Sequence, residues 1–163
     1  MPKITKLTKT QVPYVVRTLT TRWECGQDIV EAEVTQYLRQ QDSLCFILLN
    51  GKTPIGMCAF SKKNDVGVDK SPWLLGLWVE PEYRGNGYGQ LLNKAVARQA
   101  QKLGYHKLYL DTDSALKYHE RFGWKHIGTG SYLGEKTEIM ELDILDIWDS
   151  CSSSALSTNS LPQ

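Results

Sequence analysis

The stretch Leu77-Trp78-Val79-Glu80-Pro81-Glu82-Tyr83-Arg84-Gly85-Asn86-Gly87-Tyr88-Gly89-Gln90-Leu91-Leu92 constrains this chain more than any other. It reads as an apolar strand, a glycine-rich turn and the start of a helix. Glycines let backbone N–H groups converge on a small concavity with no Cβ in the way. The helix behind adds its unpaired N–H groups and the positive end of its dipole, so the turn suits a phosphate or pyrophosphate. Arg84 supplies a fixed charge beside it. The two common nucleotide loops do not fit. A Walker A loop closes on Gly-Lys-Ser/Thr, whereas this turn closes on Gly87-Tyr88-Gly89-Gln90. A dinucleotide fingerprint needs two residues between its second and third glycines, and only Tyr88 intervenes here. On the glycines alone, a phosphate cradle and a ligand-free connection are equally good readings.

The surrounding pattern mixes strands and helices. Ile4 to Thr8 reads as a short strand, and Val12, Val15, Val16 and Leu19 give a helical spacing over Gln11 to Trp23. Asp28 is the expected N-cap of a second helix running to Arg39. Leu44 to Leu49 and Ile55 to Phe60 are strands joined through Asn50-Gly51, a hairpin signal. Ser61 to Ser71 is a polar loop, and Trp73 to Val79 a third apolar strand with Gly76 inside it, the mark of a bulge or a close backbone approach. Leu91, Leu92, Ala95, Val96, Ala100 and Leu103 place a helix over Gln90 to Leu103, with Gly104 as its stop. Leu108 to Leu110, a short helix over Ser114 to Phe122, and strands over Trp124 to Gly128 and Thr137 to Asp143 complete the order.

Composition removes several classes. Nineteen Lys+Arg against eighteen Asp+Glu give a net charge of +1, which argues against a nucleic-acid binder. The longest apolar run, Leu44 to Leu49, falls far short of the roughly 20 residues that span a bilayer. Met1-Pro2-Lys3-Ile4-Thr5 has no apolar h-region, so neither a secretory signal nor a membrane partner is expected. Cys25, Cys45, Cys58 and Cys151 form no CxxC pair, which points away from a metal site and toward a reducing, cytoplasmic setting. Cys45 and Cys58 read as small core hydrophobes. Residues 1–145 are read as one domain and 146–163 as a serine-rich tail too poor in apolar surface to order itself.

The turn resembles motif A of the GNAT superfamily of N-acetyltransferases, Arg/Gln-x-x-Gly-x-Gly/Ala, filled here by Arg84, Gly87 and Gly89. The family's lead-in is matched by Val79 to Gly85. Ala115 to Trp124 resembles its second signature, a short helix ending in Gly followed by an aromatic. The resemblance implies an α/β (α+β) fold with a mixed, mostly antiparallel central sheet of six to seven strands. Helices cover both faces, and strands four and five splay apart. It implies acetyl-CoA as co-substrate, with the backbone around Leu77, Trp78 and Val79 bonding the pantetheine arm. Arg84, Gly85, Asn86, Gly87, Tyr88, Gly89 and Gln90 would then cradle the pyrophosphate.

The implied reaction is direct attack of a primary amine, on a small molecule, protein or peptide, at the thioester carbonyl. The family often uses a tyrosine four residues before the glycine of the second signature to protonate the leaving thiolate. Four before Gly123 is His119, and the tyrosine, Tyr118, is one position away. His119 held protonated, Tyr118 after a small rotation, or water are the three readings. Packing is the bland reading of Tyr118, which shares a helical face with Ala115 and Phe122. Strand four contains no carboxylate to act as base. Glu80 and Glu82 read as solvated, while Asp111 and Asp113 serve equally well as bases or as helix caps. Arg22-Trp23-Glu24 lies where the family builds its acceptor wall, and relatives that pair through sheet edges or tails make a homodimer a further expectation. The alternative from another class is a non-catalytic acyl-CoA-binding or regulatory module of the same fold.

Overall fold

The computed structural model describes residues 1–40 and 42–148, which fall into two compact units. The first holds residues 1–63 and 74–96, and the second holds 64–73 and the chain from Ala97 onward.

In the first unit, β1 (Lys3–Lys6), β2 (Ser43–Asn50) and β3 (Thr53–Ser61) form an antiparallel sheet, with Ile4 opposite Leu48 and Phe46 opposite Cys58. The β2–β3 turn closes at Asn50 opposite Thr53, and Gly51 takes φ +64 there. Helices α1 (Val12–Arg22) and α2 (Gln27–Arg39) cover one face. Pro13 sits in the first turn of α1, where its missing N–H has no partner to lose. The N-cap of α2 is Gly26, not Asp28; the aspartate lies inside the first turn, where its charge still meets the positive end of the dipole.

Strand alternation sorts the core. Cys45, Ile47, Met57 and Ala59 point toward Tyr14, Val15 and Leu19 of α1 and Val30, Val34 and Tyr37 of α2, with Leu75 and Trp78 packed against the same cluster. Residues of the opposite parity face α3 (Tyr88–Lys102), with Leu92 against Gly56. Cys45 and Cys58 are fully buried, and burial pushes the Cys45 thiol up to about 12, so both stay protonated core residues.

Gly56 fixes how closely β3 approaches β4 (Trp73–Val79), because a Cβ there would sit 2.8 Å from the Trp78 carbonyl oxygen and 3.4 Å from Leu92. Backbone cannot swing aside as a side chain does. Gly56→Ala is therefore expected to cost about 1–3 kcal/mol, read as a fall in urea midpoint at constant slope.

The second unit contains β5 (Lys107–Thr112), α4 (Leu116–Glu120), β6 (Lys125–Tyr132) and β7 (Glu135–Asp143). β7 lies antiparallel between β5 and β6, with Tyr109 opposite Glu141 and Gly130 opposite Thr137. The loop from Asn64 folds over β6, where the Ser131 amide donates to the Val66 carbonyl at 3.2 Å. Trp73, which belongs to this unit, pairs in parallel with Tyr109. Trp124, expected to open a strand, precedes β6 and is a core residue at 2% exposure. The strand order is β1-β2-β3-β4-β5-β7-β6, with β4 and β5 paired in parallel, and the seven-stranded mixed sheet is the architecture the resemblance implied.

Residues 144–148 are helical, with Ile144 and Ile147 buried. The remainder of the expected tail, 149–163, lies outside the described residues. No helix among the described residues is long and apolar enough to cross a membrane.

Candidate active site

The glycine-rich turn belongs wholly to the first unit. β4 ends at Val79, a 3-10 turn follows over Pro81–Tyr83, and α3 opens at Tyr88. Gly76, in mid-strand, takes φ +58, a conformation that costs an L-residue about 1–2 kcal/mol. The Tyr83 amide donates to the Glu80 carbonyl at 2.9 Å, and the Arg84 amide to the Pro81 carbonyl at 3.2 Å. Gly85 and Gly87 lie at φ +82 and +78, and a Cβ on either would meet no atom within 4 Å. These glycines answer a demand of backbone conformation, and the space in front of them is open. Arg84 to Gly87 are exposed. The Leu91 amide pairs with the Gly87 carbonyl at 3.2 Å, which leaves the amides of the first turn of α3 without helical partners.

Side chains brace this cradle. The Asn86 side-chain amide donates to the Tyr83 and Arg84 carbonyls, at 3.0 and 3.3 Å, and is spent on holding the turn. Gln90, 8% exposed, accepts from the Asn93 amide at 3.4 Å, but its own Nε2 is buried without a partner. Tyr88 and Gly89 are half-buried in the first turn of α3. An orphaned donor at the third position of a helix, beside open-faced glycines and free amides, fits an oxyanion such as a pyrophosphate.

Arg84 is tied to the end of β4 beside the turn. Its Nε donates to the Val79 carbonyl at 2.8 Å, and its guanidinium carbon lies 4.5 Å from the Trp78 ring centre. Leu77 and Trp78 are half-buried on β4, while Val79 is buried.

Sequence reasoning missed what surrounds Trp78. Glu80, read as solvated, is half-buried, accepts the Tyr14 hydroxyl at 3.1 Å and lies 3.7 Å from an Arg22 Nη. Burial, with Glu80 next, raises the Tyr14 phenol. Arg22 also sits 4.8 Å from the Trp78 ring, and Trp23 meets that ring edge-on at 5.8 Å. The signal available was the spacing of Arg22-Trp23 at the end of α1, which nothing in the sequence ties to β4.

His119 and Tyr118 lie on α4 in the second unit. His119 is buried between the Tyr118 and Trp124 rings, at centroid distances of 5.1 and 6.1 Å, and its Nδ1 has no partner. Burial drives its pKa down to about 4, so it is neutral at pH 7. Tyr118 is half-buried, edge-on to Phe122 at 5.2 Å, with Arg121 over its ring. Burial raises its phenol, which therefore keeps its proton. Neither Asp111, within β5, nor Asp113, just after it, caps α4, because the Thr112 hydroxyl accepts the Ala115 amide at 2.9 Å. Asp113 is exposed and accepts from Ser114. Asp111 is half-buried, accepts the Thr137 hydroxyl at 3.0 Å and is raised chiefly by burial.

The depressed His119 has a measurable consequence. The unfolded chain takes up the imidazole proton near pH 6.5, and the folded chain only near 4. Stability from this group is complete above 6.5 and falls as pH drops toward 4, by about 2 kcal/mol after allowance for partial solvent screening. His119→Phe keeps an aromatic against Tyr118 and Trp124 and is expected to flatten the wild-type's stability loss over that window in urea titrations.

The acetyltransferase (GNAT) family profile matches residues 12–124, which span both units. No curated protein sequence matches the chain. Solved structures similar to it include the PaiA N-acetyltransferase of Thermoplasma acidophilum in complex with coenzyme A, at 17% identity and TM-score 0.65 over 88% of this chain and 99% of that one. An aminoglycoside 6'-N-acetyltransferase complexed with coenzyme A matches at 16% identity and TM-score 0.72, over 87% and 97%. An acetyltransferase of the GNAT family from Staphylococcus aureus Mu50 matches at 13% identity and TM-score 0.69, over 88% and 99%.

Proposed function

The chain belongs to the GNAT acetyltransferase family, and from that premise we propose that it transfers the acetyl group of acetyl-CoA to a primary amine. The observation that carries this reading is the cradle itself: two left-handed glycines facing open space, the free amides of α3 and an orphaned Gln90 donor, at the position of the family's motif. The amides of Gly85 to Gln90 hold the pyrophosphate, and the backbone of Leu77 to Val79 aligns the pantetheine arm. Arg84 serves from its place on Val79, bracing the turn. A family match across both units supports residues 1–145 as one domain.

Acetyl-CoA supplies an activated thioester carbonyl, open to a neutral amine nitrogen. The C–S bond breaks as the C–N bond forms, and the departing sulfur needs a proton. Tyr118 is the donor in this account, because its phenol is protonated at neutral pH while His119 is neutral and poorly placed to give up a proton. Asp111, free of capping duty and held half-buried by Thr137, takes the ammonium proton through water.

Acetyl-CoA at 100 times its Kd is expected to add about 2.7 kcal/mol of stability, seen as a higher melting temperature. No shift at millimolar acetyl-CoA would contradict the reading. The setting is proposed to be cytoplasmic, and a homodimer is left to the measured mass in solution.

A further inference from the structure

Around Trp78, in the first unit, hydrogen-bond donors outnumber acceptors. Two guanidinium groups lie over its ring, Arg22 at 4.8 Å and Arg84 at 4.5 Å. Arg84 uses Nε on the Val79 carbonyl, which leaves its fork of Nη donors directed elsewhere. Arg22 has a side chain 44% exposed, and its nearest carboxylate oxygen, on Glu80, is 3.7 Å away, beyond hydrogen-bond range. Glu80 already accepts from Tyr14 through its other oxygen. The Trp78 indole N–H is buried without an acceptor, and Trp23, 41% exposed, walls the cluster edge-on. Two cations and an indole N–H against one committed carboxylate, on an aromatic floor, suit an oxyanion with a planar fork, because guanidinium bonds carboxylate in two parallel contacts.

The side of the sheet tells which oxyanion. Trp78 packs with the α1–α2 cluster, whereas α3, which follows the phosphate cradle, packs on the other face against Gly56. We propose that the acceptor amine carries a carboxylate and that Arg22, stacked on the Trp78 ring, is the residue that selects it. The proposal rests on the transferase reading and goes further, since it sets this chain apart from enzymes whose acceptors are polycations, such as aminoglycosides. A phosphate of acetyl-CoA is the other source of the same chemistry.

The test is steady-state acetylation of glycine, β-alanine and 4-aminobutyrate, each against its own amide, and of glutamate against glutamine, compared at equal concentrations of neutral amine. At one spacing or more the carboxylate form is expected to show a kcat/KM about tenfold or more higher, the worth of one charge-assisted bond. Arg22→Gln is expected to bring that ratio near one, with acetyl-CoA still raising the melting temperature. Amides that match or exceed their acids at every spacing would overturn the proposal. So would an Arg22→Gln protein whose KM rises for acetyl-CoA but not for its 3'-dephospho form, which would assign the cluster to the phosphate. If acetyl-CoA binds and no amine of the panel is acetylated, the transferase reading falls and this proposal with it.

Discussion

Gly87→Val is expected to weaken acetyl-CoA binding by about 100-fold, from the loss of two or three charge-assisted amide contacts at the turn. Gly87 lies at φ +78, where a β-branched residue is strongly disfavoured, so the backbone rotates and carries its amide out of the cradle. No protein atom lies within 4 Å of the added Cβ, so the side chain meets only the volume left for the phosphate. Gly67→Val is the matched control. That glycine takes φ +72 with equally open surroundings but belongs to the loop over β6, so its variant suffers the same backbone strain without losing acetyl-CoA. Isothermal titration of both variants separates damage to the cradle from damage to the fold. Equal affinity in wild-type and Gly87→Val would place the pyrophosphate elsewhere.

The second large effect is on turnover. Tyr118→Phe removes a single oxygen and keeps the ring against Phe122 and His119. A positioned general acid accelerates its step by about 100- to 10,000-fold, so kcat at saturating acetyl-CoA is expected to fall by at least the lower figure while the KM for acetyl-CoA holds. His119→Phe is expected to stay within about threefold of wild-type, because a ring already neutral loses no proton in the exchange. The opposite pattern, with His119→Phe inactive and Tyr118→Phe active, would return the role to the histidine. The wild-type rate would then decline as pH rises above about 4, where the imidazole gives up the proton a general acid needs.

Much of the fold was legible because its signals are local. Strand and helix periods placed the seven strands and helices α1 to α4 to within about four residues, though not the helix over residues 144–148, and the glycine turn declared its conformation through Gly85 and Gly87. Gly76, read as the mark of a bulge or a close approach, is a left-handed residue inside β4, a conformation its place in an apolar strand did not specify. Local signals also explain the errors. Asp28 satisfies every rule for an N-cap, yet Gly26 supplies the extended backbone from which α2 starts, and a cap is decided by where the chain turns. Asp111 and Asp113 looked like caps until Thr112, between them, took the bond.

What sequence could not supply is long-range pairing. Glu80 looks solvated next to Pro81, and only the fold brings Tyr14, 66 positions earlier, to its carboxylate. The same holds for Arg22 and Trp23 against Trp78. Whether His119 is charged depends on burial beneath Trp124, which no spacing rule registers.

The most direct test follows CoA thiol released from acetyl-CoA by the full-length protein against a panel of primary amines, with acetylated amine identified by mass. The account predicts amine-dependent release in equal amount with acetylated product, lowered about 100-fold at limiting acetyl-CoA in Gly87→Val and slowed at least 100-fold in Tyr118→Phe. Acetyl-CoA that binds and raises the melting temperature, yet releases no thiol above the buffer rate with any amine, would contradict it and leave an acyl-CoA-binding module of the same fold.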